Sequence, residues 1–455
     1  MSRDCTQLVI SIAILLASTQ LLLVDGLNMA ITSNDSSESL KPLYDTTWRY
    51  SVRNVFPDVP PEFENATIMF RDLKTDADGF VYVLCDVSSS YEYYKAEGKY
   101  FSYQLLLKYD AQLRLIWTQI TDNQTGPSMM TIHNGFIYTA KYGTHISNGA
   151  STIALVVSKW ALRGERIWQS VLSQILVRQP PAIAIAPDDS VYVWLTYFNL
   201  RCPLPYNSIF LKFDSSGSLL WNKTSTIQSH ASRGEFVIRN DSMYTHTEIV
   251  EKRDLSCEPL WNISFHSNVR EVDDTGNIYL AKTRSKNQTE KAELVISKWD
   301  SHGTQVWNSS FSQEFEHGTY WSFECRDMAI GRNRSTVVML KGLHSDNNYH
   351  LVKFNCEGHF LWDKMIEDET WAPDWHPRPT IQSSSTGLAY IPFSSSQREK
   401  LAIYAFEVGP YDIPFESSTL LVIVTGTGLG IIIIAVAIYL RKYIVTEQIQ
   451  MNPFD

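Results

Sequence analysis

Two short acidic runs are the first places where this chain could do chemistry: Asp76-Ala77-Asp78-Gly79 and Asp273-Asp274-Thr275-Gly276. Oxygens gathered in this way suit a hard divalent cation such as calcium, which takes about six to eight of them. Neither run holds a full ligand set, and Asp-Gly ahead of an apolar strand is an ordinary way to reverse a chain, so a structural turn is the preferred reading. The histidines are scattered, and His302 and His359 fall in candidate hairpin turns rather than at metal-ligand spacing. Beyond Cys5 near the N-terminus, the cysteines are Cys85, Cys202, Cys257, Cys325 and Cys356, an odd set without a Cys-x-x-Cys pair. At least one thiol therefore stays outside any intrachain disulfide, and redox or zinc chemistry has no motif to rest on. No Gly-x-Ser-x-Gly elbow is present either. On these grounds no catalytic, cofactor-binding or metal-binding residue is assigned, and no cofactor is expected.

Covalent modification and recognition have better support. Asn-x-Ser/Thr sequons begin at Asn34, Asn65, Asn123, Asn222, Asn240, Asn262, Asn287, Asn308 and Asn333, which makes these nine asparagines the candidate N-glycosylation sites. The stretch from Glu367 to Pro379 gathers Trp371, Trp375, His376 and Arg378 among prolines, and reads as an irregular loop able to bind a partner or to pack over its own domain. The tyrosine-rich run from Tyr91 to Tyr103 reads as an extended hairpin or a face loop.

Two apolar segments decide where these residues operate. Arg3 precedes an uncharged run from Leu8 to Val24, followed by small residues near Gly26, the layout of a signal peptide, with an uncleaved anchor as the alternative. The second segment, Thr419 to Leu440, contains no charge, and its 22 residues at about 1.5 Å each span about 33 Å, enough for a bilayer core. Arg441 and Lys442 follow at once, which predicts a cytoplasmic tail and a type I, single-pass membrane protein. Within that span Gly426 and Gly430 form a Gly-x-x-x-Gly face, a candidate dimer contact between helices. The expected divisions are a signal peptide at 1–26, a linker at 27–45, an ectodomain at 46–410, a juxtamembrane linker at 411–418, the span at 419–440 and a tail at 441–455. A net charge of -10 leaves no basic surface for displacing counterions from phosphates, so nucleic acid is excluded as a partner.

The ectodomain is organised by repeats. Lys108 and Trp117, Lys159 and Trp168, Lys212 and Trp221, Lys252 and Trp261, Lys298 and Trp307, and Lys353 and Trp362 are each nine residues apart. An apolar-Lys-aromatic alternation has the period of a strand, and an Asp or Asn then opens a turn. Gly164, Gly217, Gly303 and Gly358 share one later position, where a left-handed residue closes a type I turn with a bulge. Each copy is therefore an antiparallel hairpin. Ahead of each lies a turn and a short apolar strand marked by Tyr82, Tyr138, Tyr192, Tyr244, Tyr279 and Tyr390, with Val338 taking that place in the sixth copy. The units recur every 35 to 60 residues or so, as four-stranded propeller blades do. The seventh has no tryptophan strand of its own, and the segment around Trp48 is expected to complete it and close the ring.

These hairpins resemble the quinoprotein-like, or PQQ-like, β-propeller repeats of microbial cell-surface proteins, whose pattern is Leu-x-Lys-aromatic-Asp-x-x-Gly-x-x-x-Trp. Arg253 and Cys257 depart from it in the fourth copy. The resemblance implies an all-β propeller; the seven repeat units make it seven-bladed, and the uncharged run from Thr419 to Leu440 adds one transmembrane helix after it. The expected function is recognition, adhesion or scaffolding at the cell surface, with an extracellular protein or glycan as ligand. The alternatives are an exported quinone-dependent dehydrogenase-like enzyme and a structural glycoprotein of the cell envelope.

Overall fold

The computed structural model describes residues 42–50, 65–98, 101–122, 126–147, 150–173, 180–197, 206–227, 235–246, 249–263, 269–285, 292–312, 323–331, 333–342, 349–366, 381–384, 387–394 and 401–408. All belong to the first of two units, Met1–Pro410; the second is Tyr411–Asp455. The expected signal peptide, membrane span, glycine pair and tail lie outside the described residues, as do Cys202 and the 367–379 loop. Among the described residues no helix is long and apolar enough to cross a membrane.

Seven four-stranded antiparallel sheets form the blades of a β-propeller. Blade 1 runs Thr67–Thr75, Val81–Ser88, Ser102–Tyr109 and Leu115–Asp122 from the axis outward. Blades 2 to 6 repeat this order in sequence, and blade 7 takes its three inner strands from Gln382–Ser383, Leu388–Ser394 and Leu401–Glu407. Its outer strand is Tyr44–Trp48, which pairs with the third strand from Tyr44 opposite Ala405 to Trp48 opposite Leu401. The N-terminal segment thus closes the ring, leaving no half-built blade. The seam is also held by Tyr390, whose hydroxyl donates to the Ala111 carbonyl at 3.2 Å, and by Thr75, whose hydroxyl donates to the Ser383 carbonyl at 3.1 Å.

The nine-residue spacing has a direct structural cause. Each repeat lysine stands opposite the repeat tryptophan across the hairpin, and a bulge follows at the next residue. On its other side the lysine faces the marker tyrosine of the second strand. In blades 1 to 5 the ammonium lies 5.1–5.5 Å from that tyrosine ring, and the tyrosine and tryptophan rings lie 5.9–6.4 Å apart. Cation–π contact and tilted aromatic pairing thus fasten three strands at one register. In blade 6 the residue facing Lys353 is Val337, which corrects the assignment of Val338. Arg334 occupies the left-handed turn slot there (φ 63°), where blades 1, 2, 5 and 7 have glycine, and the marker lies three residues later.

The marker tyrosines are fully buried, whereas the repeat tryptophans are only half-buried, in contrast to a core position. Trp117, Trp168, Trp261 and Trp307 instead lean on the hairpin turn of the next blade. Trp168 Nε1 donates to the Ser215 carbonyl at 2.9 Å, and Trp307 Nε1 to the Cys356 carbonyl at 3.1 Å. The glycine of the receiving turn makes room: a Cβ at Gly217 would sit 2.6 Å from the Trp168 ring, and one at Gly358 would sit 2.7 Å from Trp307. Lys252 adds a hydrogen bond of 2.8 Å to the Ser301 carbonyl of the neighbouring blade. Blade 4 keeps the same turn without glycine, because Cys257 adopts φ 71° and the buried Arg253 donates to its carbonyl at 2.9 Å while pairing with Glu251 at 2.6 Å.

The run expected to be an extended hairpin or a face loop contains a helix. Tyr91–Glu97 forms two turns between the second and third strands of blade 1, started by Ser90, whose hydroxyl accepts from Tyr93 N, and ended by left-handed Gly98. Tyr93 is buried and Tyr94 exposed, so one side of the helix packs on the blade.

Candidate functional site

The turns that join first to second strands and those that join third to fourth strands share one face of the propeller. Gly276, in a turn of the first kind, approaches Ser301, in a turn of the second. Where the inner strands end on this face, a pocket of about 310 Å³ opens beside the axis. Four blades contribute: Arg239 from blade 4, Glu271 to Asp274 from blade 5, Ala329 to Gly331 with Arg334 from blade 6, and Gln382 with Ser383 from blade 7.

The lining is positioned by the strand ends. Asp273 folds inward on its own turn: one carboxylate oxygen accepts from Thr275 N at 3.0 Å and Asn277 N at 2.9 Å, and the other from Asn277 Nδ2 at 2.9 Å. Burial alone would raise this carboxyl, but the Asn277 and Thr275 donors outweigh it and hold it below its ordinary value. Asp273 therefore stays an anion that braces the wall. Arg334 reaches across from blade 6 to lie 3.9 Å from Asp273 and 3.7 Å from Asp274. Asp76 repeats the arrangement in blade 1, accepting from Asp78 N, Phe80 N and the Tyr82 hydroxyl at 2.9–3.0 Å. Both acidic runs are thus turn-forming elements, and no cluster of three or more metal-ligating side chains occurs among the described residues.

Deeper along the axis, Lys74 lies 3.2 Å from Asp72. Burial would lower the Lys74 ammonium, but Asp72, then Glu271 and Asp327, outweigh it and hold it above its usual range. Asp72 and Asp327 occupy equivalent places just after a bulge, and each accepts a backbone N–H from the next blade, Met130 and Ile381, at 2.8 Å. These two inner-strand carboxyl groups are therefore fixed by the backbone of the next blade. At the rim of the pocket Arg239 donates to the Ile238 carbonyl at 2.9 Å, and no carboxylate among the described residues pairs with it. Ser383 donates to the Ile330 carbonyl at 2.6 Å, so the pocket hydroxyl is held in the scaffold. Such a lining suits binding of a polar ligand more than nucleophilic chemistry, and its volume falls at the small end of ligand sites.

Of the pocket residues, Asp273 and Asp274 are visible as an acidic run in the sequence; Arg239, Glu271, Arg334 and Gln382 carry no motif. Their common signal is position, in or just before the turn that precedes each marker residue. None of the candidate glycosylation sites lines the pocket, although Asn240 and Asn333 adjoin Arg239 and Arg334 in its turns. Asn222, Asn262 and Asn308 are exposed on outer strands, Asn240 is exposed in a blade 4 turn, Asn333 is half-buried in a blade 6 turn, and Asn65 is half-buried ahead of blade 1. Asn34, Asn123 and Asn287 lie outside the described residues. Cys85, Cys257, Cys325 and Cys356 are free thiols.

Fold and pocket together define a closed seven-bladed β-propeller with a polar axial site. No protein-family model and no curated protein matches the chain. Among solved structures it is similar to BamB from Moraxella catarrhalis, at 9% identity over 81% of this chain and 100% of that one, with a TM-score of 0.34. It is also similar to a protein of unknown function from Dyadobacter fermentans, at 12% identity over 82% of this chain and 100% of that one, with a TM-score of 0.43. A third is the β-propeller domain of the Trilobed protease from Pyrococcus furiosus, at 12% identity over 78% and 99%, with a TM-score of 0.42. None of the three informs the chemistry of the pocket.

Proposed function

We propose that this chain is a cell-surface recognition protein of the quinoprotein-like repeat type, exported by its N-terminal apolar segment, anchored through 419–440, and binding a small polar ligand at the axial pocket. The observation that carries the reading is the pocket itself, about 310 Å³ and built from four separate blades, with Arg239, Glu271 and Arg334 among its walls. Convergence of charged groups from distant sequence positions on a rigid ring is a way to build a ligand site, and a rim guanidinium with no carboxylate partner among the described residues favours a ligand with an acidic group. Export is supported by the two apolar segments and the sequons. The test is a screen of acidic sugars and other small anionic metabolites against the full chain in detergent, alongside Arg239→Ala and Glu271→Gln. Saturable binding that both substitutions abolish, with unchanged thermal midpoints, supports the reading. Binding that both variants retain places the ligand elsewhere and overturns it, as does the absence of any ligand across the screen.

A further inference from the structure

We propose that Asn222, Asn262 and Asn308 carry N-linked glycans that together clothe the outer edges of blades 3, 4 and 5; the proposal rests on the export reading above. Each asparagine directly follows a repeat tryptophan, and each occupies the same register, opposite Leu211, Glu251 and Ser297 respectively. Because side chains alternate along a strand, the tryptophan turns towards the neighbouring blade while the residues on either side of it face solvent. All three asparagines are exposed, and so are the sequon hydroxyl residues Thr224 and Ser310. The attachment points are therefore open to solvent in the folded ring.

The edges themselves supply the second observation. The outer strand of every blade has one unpaired side, and two residues before each asparagine an aliphatic side chain lies open: Leu220 at 54%, Leu260 at 54% and Val306 at 56% exposure. An exposed apolar edge strand invites pairing with another chain. An oligosaccharide rooted two residues away, on the same face of the strand, covers both the side chain and the edge. Blades 1 and 2 differ at this register. They carry Thr118 and Gln169 in place of asparagine, and a second exposed aliphatic, Ile120 or Val171, where blades 3 and 5 have Thr224 and Ser310. The rim of blades 1 to 5 is thus divided into a glycan-bearing arc and an apolar arc.

The transfer needs a lipid-diphosphate-linked oligosaccharide, the donor used in secretory glycosylation. Asn Nδ2 forms a bond to the anomeric carbon, the anomeric C–O bond to the diphosphate breaks, the diphosphate leaves with the electron pair, and the Nδ2 proton passes to a base of the transferase. The experiment is site-by-site occupancy of the full chain made in a eukaryotic secretory host, with enzymatic deglycosylation in heavy-oxygen water marking each occupied asparagine as labelled aspartate. The expected result is majority occupancy at all three sites, loss of one glycan's mobility shift for each of Thr224→Ala, Asn262→Gln and Ser310→Ala, and increased self-association when the three are combined. Occupancy at Asn34 or Asn65 with none at the three rim sites overturns the arc while leaving export standing. No occupancy at any sequon overturns both.

Discussion

The blade-to-blade contact is most sharply tested by adding one methyl group to the glycines that receive a tryptophan. Gly98, Gly164, Gly217 and Gly358 all adopt positive φ, between 66° and 98°, so alanine at any of them carries the cost of a left-handed backbone, about 1–2 kcal/mol. Their surroundings differ. A Cβ at Gly98 meets nothing within 4 Å, one at Gly164 rests 3.7 Å from Trp117, and those at Gly217 and Gly358 collide with a tryptophan ring at 2.6 and 2.7 Å. Overpacking of that kind adds about 1–3 kcal/mol. Gly98→Ala and Gly164→Ala should therefore lose about 1–2 kcal/mol, and Gly217→Ala and Gly358→Ala about 2–5 kcal/mol. At a urea slope of roughly 3 kcal/mol per molar, the second pair should unfold up to about 1 M earlier than the first. Urea titration followed by tryptophan emission measures this, since the fluorophores are the groups displaced. Equal midpoints across all four variants would refute the idea that the glycines are required by docking rather than by turn geometry alone.

Three further outcomes are expected. Trp48→Ala should weaken ring closure by roughly 2–3 kcal/mol, below the value for a fully buried tryptophan because Trp48 is half-buried, and should speed proteolysis within 44–48 before the other blades are cut; uniform cleavage would count against it. Arg253→Phe restores the repeat aromatic but leaves Glu251 without its partner, so it should cost about 1–3 kcal/mol, with Glu251→Thr in the same chain recovering most of the loss in the same urea assay. Acid should loosen the turns: Asp300, through the backbone N–H groups of Thr304 and His302, and Asp273, through Asn277 and Thr275 against the effect of burial, are held below the ordinary carboxyl value of 3.8. A depressed carboxyl stabilises the fold above its unfolded value and loses that contribution as pH falls through the folded one, whereas Asp363, raised by burial, acts in the opposite sense. Thermal midpoints should therefore drop below about pH 4. Asp300→Asn should flatten part of that drop while keeping the turn, as Asn355 does at the equivalent place in blade 6 by accepting from Glu357 N and His359 N.

The blades and their closure are legible in the sequence because one hairpin is written with a fixed distance between lysine and tryptophan, and that distance is the pairing register itself. In blade 6, where both the turn glycine and the marker tyrosine are missing, the reading slips from Val337 to Val338: the residue that fixes the register is the left-handed one in the turn, and Arg334 does not advertise that role. The Tyr91–Glu97 helix is hidden by tyrosines that favour strands, although Ser90 and Gly98 bracket it as caps. The half-buried state of the tryptophans depends on a surface supplied by the next repeat, which no single repeat contains. The pocket is least legible, since Arg239, Glu271, Arg334 and Gln382 are distant in the chain and meet only because seven inner strands end around one axis.

The closing strand has a mechanical consequence. Leu43 N donates to the Ala405 carbonyl at 2.7 Å, and Val408 N to the Gly387 carbonyl at 3.3 Å, so the chain enters the ring and leaves it at the same end of blade 7. Because Tyr44–Trp48 runs antiparallel to Leu401–Glu407, tension drawing the two ends apart loads the Tyr44–Ala405 pair first and Trp48–Leu401 last. The seam peels one pair at a time instead of shearing all at once, which makes this blade the point where the ring yields under load while the other six remain whole.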